Sequence, residues 1–376
     1  MKKIVYLGED TASFHLFFNG ASVSNASSNI ITFFNLTNFK KSKLPKSAIE
    51  TIATADHIIF SREIDWKTLK IAQLIAQHGI PYSYYADDNY FILRRIVPSK
   101  NVDHFLSLSD TLITTTQAMR NYLQQLTSKP KEKCITVALD VDIGEKSTPR
   151  KSLPKEVLNI GFLGTGKNHL YKEVIQDLTE NLSNFQLNIY APSSLCKLLR
   201  KKTIAPFINL VEFGFIKNYS TFVRTIKDFN LDFILQPADQ NDPNYQFKNL
   251  NSLLLPYYCN CLTLFCNSPP YNNIEQHGLK KLLTPSNRFS QTISHLLADN
   301  KERITLTEKL FLLVETTFST NDNIKMLQSS LHFNNVRSEA LAQNLEALRF
   351  RKIEKKYHKL RRSIYRKYLA VKSLIQ

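Results

Sequence analysis

Three of the nine glycines in this 376-residue chain fall within six positions, between an apolar run and an amphipathic stretch. They are Gly161, Gly164 and Gly166, and Lys167 and His169 follow with further hydrogen-bond donors. A glycine turn that leads into a helix presents backbone N–H groups and the positive end of the helix dipole, which suits a phosphate group. The spacing therefore predicts a phosphate-binding loop, with a tight strand–helix turn that holds no ligand as the alternative.

This loop departs from two familiar nucleotide-binding patterns. Residues 161–168 read GFLGTGKN and approach G-x-x-x-x-G-K-[ST], but Asn168 stands where the magnesium-binding hydroxyl belongs. The apolar run FILQP ends in proline, where a P-loop enzyme needs a carboxylate for its metal. The dinucleotide pattern G-x-G-x-x-G fails because His169 occupies its third glycine position. A P-loop NTPase is therefore the less favoured interpretation.

Two adjacent carboxylates form the second candidate site. Asp87 and Asp88 directly follow the apolar run IPYSYYA, and Arg62 follows the run DHIIFS. Open parallel sheets bind ligands at the carboxyl ends of their strands, and carboxylates there can bind hydroxyl groups or remove a proton. These three residues are candidate catalytic residues. Helix capping by the carboxylates, or structural pairing with Arg62, is the alternative.

The elements that must position these residues alternate in type along the chain. Short apolar runs alternate with amphipathic stretches over 1–145, and again over 155–320 after a polar segment with two prolines. This alternation is typical of βαβ units and predicts an α/β protein with two tandem Rossmann-like domains, followed by a helical extension over 321–376. Strands are predicted at 2–8, 56–61, 80–86, 110–116, 134–139, 157–164, 187–192, 208–215, 231–237 and 261–266. Helices are predicted at 66–78, 117–126, 169–182 and 220–229.

Composition narrows the class of protein. Apolar residues make up 43% and charged residues 22% of the chain, as in ordinary globular domains. No run reaches the ~18 apolar residues of a membrane span, and no signal peptide is recognisable, so we expect a soluble, cytoplasmic protein. Cys259, Cys261 and Cys266 lack the paired spacing of a zinc site, and no metal is predicted.

The positive charge is concentrated at the C-terminal end. The chain has a net charge of +17, and residues 349–376 hold eleven lysines or arginines against one acidic residue. An apolar stripe with helical spacing crosses this segment at Phe350, Ile353, Tyr357, Leu360, Ile364, Tyr368, Val371 and Ile375. Such a basic amphipathic helix can bind an anionic membrane, contact a partner protein or pack on the body of the chain. Nucleic-acid binding is not predicted, because no zinc-finger, RNP or KH-like motif is present.

Several stretches resemble GT-B glycosyltransferases, and among them glycosyltransferase family 4 and related bacterial enzymes of envelope polysaccharide synthesis. Residues 61–89, SREIDWKTLKIAQLIAQHGIPYSYYADDN, resemble the family segment "R…l..a...giPvvyd.DD". In the second domain, VLNIGFLGTGKNH resembles the phosphate-contacting strand and loop, and LVEFGFI resembles "v.f.G.v". FKNLNSLLLPYY and CLTLFCNSPPYNN together resemble "fn.KS..K..Ey…g.Pvvas..ppy". The resemblance extends from about Asp56 to Gly278.

The resemblance implies a metal-independent hexosyltransferase that moves a sugar from a UDP- or GDP-linked donor to a lipid-linked or polysaccharide acceptor. The first domain would take the acceptor and the second the nucleotide sugar, which is a substrate, so no cofactor is implied. The implied catalytic residues are Arg62, Asp87 and Asp88. The implied donor-binding residues are Gly164, Thr165, Gly166, Lys167, His169, Phe213, Lys248, Asn249 and Tyr271. An anionic membrane surface, bound through 349–376 at the inner face of the cell membrane, and a partner glycosyltransferase are the further expected contacts.

Two positions depart from the family pattern. Leu255 stands where the family has the acidic residue that holds the donor ribose, and Ser252 stands at its second basic position. These departures keep a second interpretation open, in which the chain is a non-catalytic GT-B module that binds glycan or a partner glycosyltransferase.

Overall fold

The structure, a computed structural model, divides the chain into two compact units. The first unit is Met1–Asp142 together with Thr320–Gln376, and the second is Ile143–Ser319. The C-terminal segment, expected as a helical extension over 321–376, thus groups with the first unit. The residues described are 3–8, 16–18, 31–35, 43–62, 64–139, 147–152, 156–163, 170–200, 205–216, 219–239, 242–318, 322–334, 339–350 and 352–375.

A parallel sheet forms the centre of the first unit. Its described strands are β1 Ile4–Gly8, β2 Ile31–Asn35, β3 His57–Ser61, β4 Tyr82–Ala86, β5 Leu112–Thr114 and β6 Cys134–Thr136. They lie in the order β2-β1-β3-β4-β5-β6, and all neighbouring pairs are parallel. The accompanying helices are α1 Lys46–Ala53, α2 Trp66–Gln77, α3 Lys100–Leu108 and α4 Gln117–Thr127. The strands β1 and β3–β6 and the helices α2 and α4 confirm the sequence pattern, whereas β2, α1 and α3 are additions to it.

Asp65 and Gly79 mark the two ends of helix α2. The Asp65 carboxylate accepts from the backbone N–H groups of Lys67 and Thr68, both at 2.9 Å, and so begins α2. After α2, Gly79 takes a φ of +69°, a left-handed conformation that glycine adopts without the Cβ penalty. The chain then turns directly into β4, and the last residue of that strand precedes Asp87.

A second parallel sheet forms the centre of the second unit. Its described strands are β7 Val157–Gly161, β8 Gln186–Pro192, β9 Ile208–Phe213, β10 Phe233–Gln236 and β11 Leu262–Phe265. They lie in the order β11-β10-β7-β8-β9, again with parallel neighbours. The helices are α5 Tyr171–Asn181, α6 Ser193–Leu199, α7 Tyr219–Asp228, α8 Leu254–Cys259, α9 Phe289–Ala298 and α10 Asn300–Thr317. One parallel sheet in each unit confirms the predicted α/β class with two Rossmann-like sheets.

Three further helices, α11 Asp322–Ser330, α12 Glu339–Ala347 and α13 Lys352–Ile375, belong to the first unit. The Asn323 side chain donates to the carbonyl oxygens of Ala138 at 2.6 Å and Phe17 at 3.3 Å. Between α12 and α13, the Phe350 ring lies edge-on to Trp66, with 5.3 Å between ring centroids. Among the helices that the structure describes, none combines the length and the apolar character needed to cross a bilayer.

A buried histidine ties these C-terminal helices to the sheet. His57 on β3 has no exposed surface, its Nδ1 lies 2.6 Å from the His332 carbonyl oxygen, and its Nε2 lies 2.8 Å from Ser83 Oγ. Because a carbonyl oxygen only accepts, Nδ1 carries the proton and Nε2 accepts from the Ser83 hydroxyl. Burial lowers the pKa of His57 to about 4, so the ring is neutral in the folded chain near neutral pH.

We expect this histidine to make the first unit less stable in acid. The unfolded chain protonates His57 near its ordinary pKa of about 6.5, whereas the folded chain resists protonation down to about 4. The free energy of unfolding therefore loses nothing to this histidine above about pH 6.5 and decreases as the pH falls toward 4. The decrease amounts to about 2 kcal/mol between pH 7.5 and pH 5. Urea unfolding at these two pH values, followed by the fluorescence of Trp66, the single tryptophan, measures this decrease in the first unit, which contains both Trp66 and His57. His57→Gln should lack this part of the pH dependence, and equal pH dependence in both proteins would contradict the assignment.

Candidate functional site

The carboxyl ends of β3 and β4 bring two predicted catalytic residues together. Arg62 follows β3 and Asp87 follows β4, and these strands are adjacent, with Ser61 paired to Tyr85. Arg62 has a φ of +69°, and its backbone N–H donates to the Tyr85 carbonyl oxygen at 2.9 Å. This conformation leaves Arg62 Nε 3.7 Å from Asp87 Oδ1.

Tyr90 completes the cluster and was missed by sequence reasoning. Its hydroxyl donates to Asp87 Oδ1 at 2.7 Å and accepts from Arg62 Nε. The Arg62 guanidinium carbon also lies 5.3 Å from the centre of the Tyr90 ring. Burial raises the pKa of Tyr90, and the charge of Asp87 raises it further, so the phenol stays protonated and keeps donating. The available signal was its position three residues after Asp87, in a run crowded with other tyrosines.

The cluster is electrostatically balanced although it is buried. Burial by itself lowers the pKa of Arg62, but attraction to the Asp87 carboxylate, with a contribution from Asp88, leaves this pKa above its ordinary value. Arg62 therefore stays charged beside Asp87, whose side chain is only 7% exposed. Such a pair holds the loop in place and offers little of either charge to a ligand.

Asp88 is the more accessible of the two carboxylates. It is half-buried, whereas Asp87 is buried. The next residue, Asn89, fixes the turn, because its Oδ1 accepts from the backbone N–H groups of Phe91 at 3.2 Å and Ile92 at 3.1 Å. Asp87 is thus held within the buried cluster, whereas Asp88 is partly exposed at the carboxyl edge of the sheet, where open parallel sheets bind ligands.

In the second unit, three predicted donor-binding residues follow two adjacent strands. Lys248 and Asn249 come after β10, and Tyr271 comes after β11, which pairs with β10 in parallel. Asn249 Oδ1 accepts from the Asn251 backbone N–H at 2.9 Å, which begins the turn toward α8. The hydroxyls of Ser252 and Tyr271 are hydrogen bonded to each other, so the two segments are joined. Burial raises the pKa of Tyr271 to about 12.

The glycine loop itself lies outside the described residues. The residues concerned are Gly164, Thr165, Gly166, Lys167 and His169. The structure describes the strand before the loop, β7, and the helix after it, α5, and this order of elements agrees with the sequence pattern. Because β7 pairs with β10, the carboxyl ends of β7, β10 and β11 are neighbours in the sheet. Phosphate binding by the loop stays a prediction.

Phe213 lies elsewhere on this sheet. It ends β9, which forms the edge opposite β11, and its ring centroid is 5.5 Å from that of Phe229. Phe213 and Leu255 both pack, partly buried, on one apolar cluster in the second unit. The buried members of this cluster are Leu163, Ile226, Leu231, Ile234, Cys259 and Cys261. Leu255 thus has a packing role at the position where the family resemblance implies an acidic residue.

No protein-family model matches the chain, and no curated protein matches it in sequence. Solved structures do match. HepE from Anabaena in complex with UDP and glucose is 12% identical with a TM-score of 0.63, over 88% of this chain and 100% of that one. HepE in complex with UDP-glucose is 12% identical with a TM-score of 0.58, over 93% and 100%.

A variant of TarM from S. aureus, in complex with fondaparinux, alpha-GlcNAc-glycerol and UDP, is a more distant match. It is 13% identical with a TM-score of 0.50, over 73% of this chain and 55% of that one. At such low identity the similarity concerns the path of the chain through the two parallel sheets. The chain has a GT-B glycosyltransferase-like fold.

Proposed function

We propose that the chain is a glycosyltransferase that moves a hexose from a UDP- or GDP-linked donor to a lipid-linked or polysaccharide acceptor in bacterial envelope glycan synthesis. The observation that carries this proposal is the buried Arg62–Asp87–Tyr90 cluster beside the partly exposed Asp88, at the carboxyl edge of the first sheet of a GT-B-like fold. The nucleotide sugar is the substrate, and the reaction uses neither a metal ion nor a separate cofactor. An acceptor on a lipid carrier suits a cytoplasmic protein at the inner face of the membrane.

On the donor side, the chain has to stabilise the diphosphate that leaves the sugar. The glycine loop over 164–169 precedes α5, and backbone N–H groups at a helix N-terminus favour the negative charge that develops on the leaving group. Lys248 and Asn249 follow the neighbouring strand β10 and would contact the same diphosphate. That HepE has been crystallised with UDP and with UDP-glucose supports a uridine diphosphate donor.

On the acceptor side, Asp88 is the group that touches substrate. A half-buried carboxylate can accept a hydrogen bond from an acceptor hydroxyl and take up its proton as the glycosidic bond forms. Asp87, Arg62 and Tyr90 are positioning residues, because their polar atoms are directed at one another.

Nucleotide binding tests the donor side. We expect UDP or GDP to bind without magnesium in a calorimetric titration, and Lys248→Ala to weaken this binding by roughly 1–3 kcal/mol, the size of a hydrogen bond to a charged group. Lys280→Ala is the matched control, since Lys280 lies in the same unit with its side chain 77% exposed and paired with Glu275. An unchanged affinity in Lys248→Ala would remove Lys248 from the donor site.

The same titration separates the proposal from its alternatives. A correctly folded chain that binds no nucleotide would be the non-catalytic GT-B module, an interpretation that the packing of Leu255 on the apolar cluster favours. Binding of ATP only in the presence of magnesium would support the P-loop interpretation. ADP serves as the control nucleotide for base selectivity.

A further inference from the structure

The long C-terminal helix α13 is attached to the first unit through polar contacts. The Glu354 carboxylate lies 2.6 Å from Lys70 Nζ on α2. Further along the helix, the Arg361 guanidinium donates to the Pro98 carbonyl oxygen at 3.0 Å, and Arg366 donates to the Arg94 carbonyl oxygen at 3.4 Å. These contacts determine which side of the helix faces the protein body.

Four apolar side chains of α13 are mostly exposed. The exposed fractions are 67% for Tyr357 and 58% for each of Leu360, Ile364 and Tyr368. Their spacing of three and four residues places them on one side of the helix. A helix that only packs on its own protein buries its apolar side, whereas these four side chains are each more than half exposed. Four large apolar side chains on one exposed stripe form a patch of the kind that marks an interaction surface.

Basic side chains border this stripe. Lys356 and Lys367 are exposed and directly precede Tyr357 and Tyr368, which places them about 100° around the helix from those tyrosines. Residues 349–376 carry eleven lysines or arginines, and their one acidic residue, Glu354, is paired with Lys70. The patch is therefore apolar in the middle and positively charged at its border, which is complementary to an anionic lipid surface.

Packing beneath the helix is incomplete. A cavity of about 640 Å³ lies between α2, α3 and α13, with Phe105 and Tyr82 among its lining and Leu108 and Tyr357 also bordering it. Leu108 is itself 48% exposed, so it adds apolar surface beside the stripe. Burial of apolar area against the body therefore does not account for the four exposed apolar side chains of this helix.

We propose that the exposed apolar stripe of α13, formed by Tyr357, Leu360, Ile364 and Tyr368, docks on an anionic membrane. The helix would lie along the bilayer surface with its apolar stripe at the level of the acyl-chain boundary. The tyrosine hydroxyls suit the headgroup region, and the lysine side chains reach anionic headgroups from the border of the patch. A second copy of this chain fits less well, because the bordering lysines of two copies would repel each other. Docking does not depend on the proposed transferase activity, since it uses neither candidate site.

Co-sedimentation of the full chain with lipid vesicles tests this docking surface. We expect binding to vesicles of phosphatidylcholine mixed with phosphatidylglycerol, weak binding to phosphatidylcholine alone, and a decrease as salt is raised. Lys356→Gln with Lys367→Gln should weaken binding about thirtyfold, since each of the two lysines near an anionic surface contributes about fivefold. Leu360→Gln with Ile364→Gln should weaken binding by more than about tenfold through lost apolar burial.

Matched controls come from the second unit. Phe215 and Leu312 are 85% and 60% exposed there, so Phe215→Gln with Leu312→Gln removes comparable apolar surface from a different place. Lys301→Gln with Lys309→Gln makes the same charge change on exposed lysines. Both control pairs should bind vesicles as the parent does. Trp66 fluorescence verifies that each α13 variant is folded, because the ring contacts Phe350 immediately before this helix.

Three results would overturn the docking proposal. They are equal binding to neutral and anionic vesicles, equal loss in the control pairs, and absence of vesicle binding at low salt. Sedimentation velocity without lipid tests whether a second copy of the chain occupies the stripe instead. A dimer that dissociates in the Leu360→Gln and Ile364→Gln variant would assign the stripe to contact between two copies and would also refute membrane docking.

Discussion

Asp88→Asn is expected to lower kcat for glycosyl transfer by about 10²–10⁴, the usual contribution of a positioned general base. The amide keeps the shape of the side chain but cannot take up a proton from an acceptor hydroxyl. Because Asp88 is in the first unit and the donor residues are in the second, we expect the affinity for the nucleotide to stay within about twofold of the parent. Initial rates of nucleoside diphosphate release give kcat, and calorimetry gives the affinity for the nucleotide.

The control for this prediction is Asp103→Asn. Asp103 is an exposed carboxylate in the first turn of α3, in the same unit as Asp88. Its amide variant should transfer sugar at the parent rate. If Asp88→Asn also retains the parent kcat, Asp88 is neither the base nor an essential contact for the acceptor, and the acceptor side of the proposal is wrong.

The meeting of Arg62 and Asp87 was predictable from sequence because it depends on topology alone. Each follows a short apolar run, and parallel strands end at the same edge of their sheet. The part played by Tyr90 was not predictable, because several nearby tyrosines are equivalent in the sequence. Only the turn after β4 directs the Tyr90 hydroxyl to Asp87 Oδ1 at 2.7 Å.

The helical character of α13 was likewise predictable, but its orientation was not. The period of the apolar residues predicts a helix with one apolar side, and period alone does not say whether that side faces protein or solvent. Long-range polar contacts decide it, such as the pairing of Glu354 with Lys70, 284 residues apart in the chain. The strand β2 was missed for a related reason, since a short apolar run such as ITFFN is ambiguous until a neighbouring strand pairs with it.

Arg62→Met is expected to lower the free energy of unfolding of the first unit by about 3 kcal/mol, because it leaves the buried Asp87 carboxylate without its counter-charge. Both side chains of the pair are mostly buried, at 16% and 7% exposed, so solvent screens this loss only weakly. Methionine keeps much of the apolar stem and has to adopt the same φ of +69°, so the comparison isolates the charge and the hydrogen bond to Tyr90. Urea unfolding followed by Trp66 fluorescence measures the change in the unit that contains the pair.

A double-mutant cycle shows whether this loss belongs to the pair. Asp87→Leu alone leaves Arg62 buried without its carboxylate and should cost a similar amount, whereas the variant with both substitutions buries neither charge. We therefore expect the double variant to lose clearly less stability than the two single losses combined, because the costliest species is a lone buried charge. Arg62→Lys retains the charge without the planar donor group, and it should fall between the parent and Arg62→Met. Strictly additive losses would mean that Arg62 and Asp87 are not coupled, and Asp88 would then owe its position to the Asn89 turn alone.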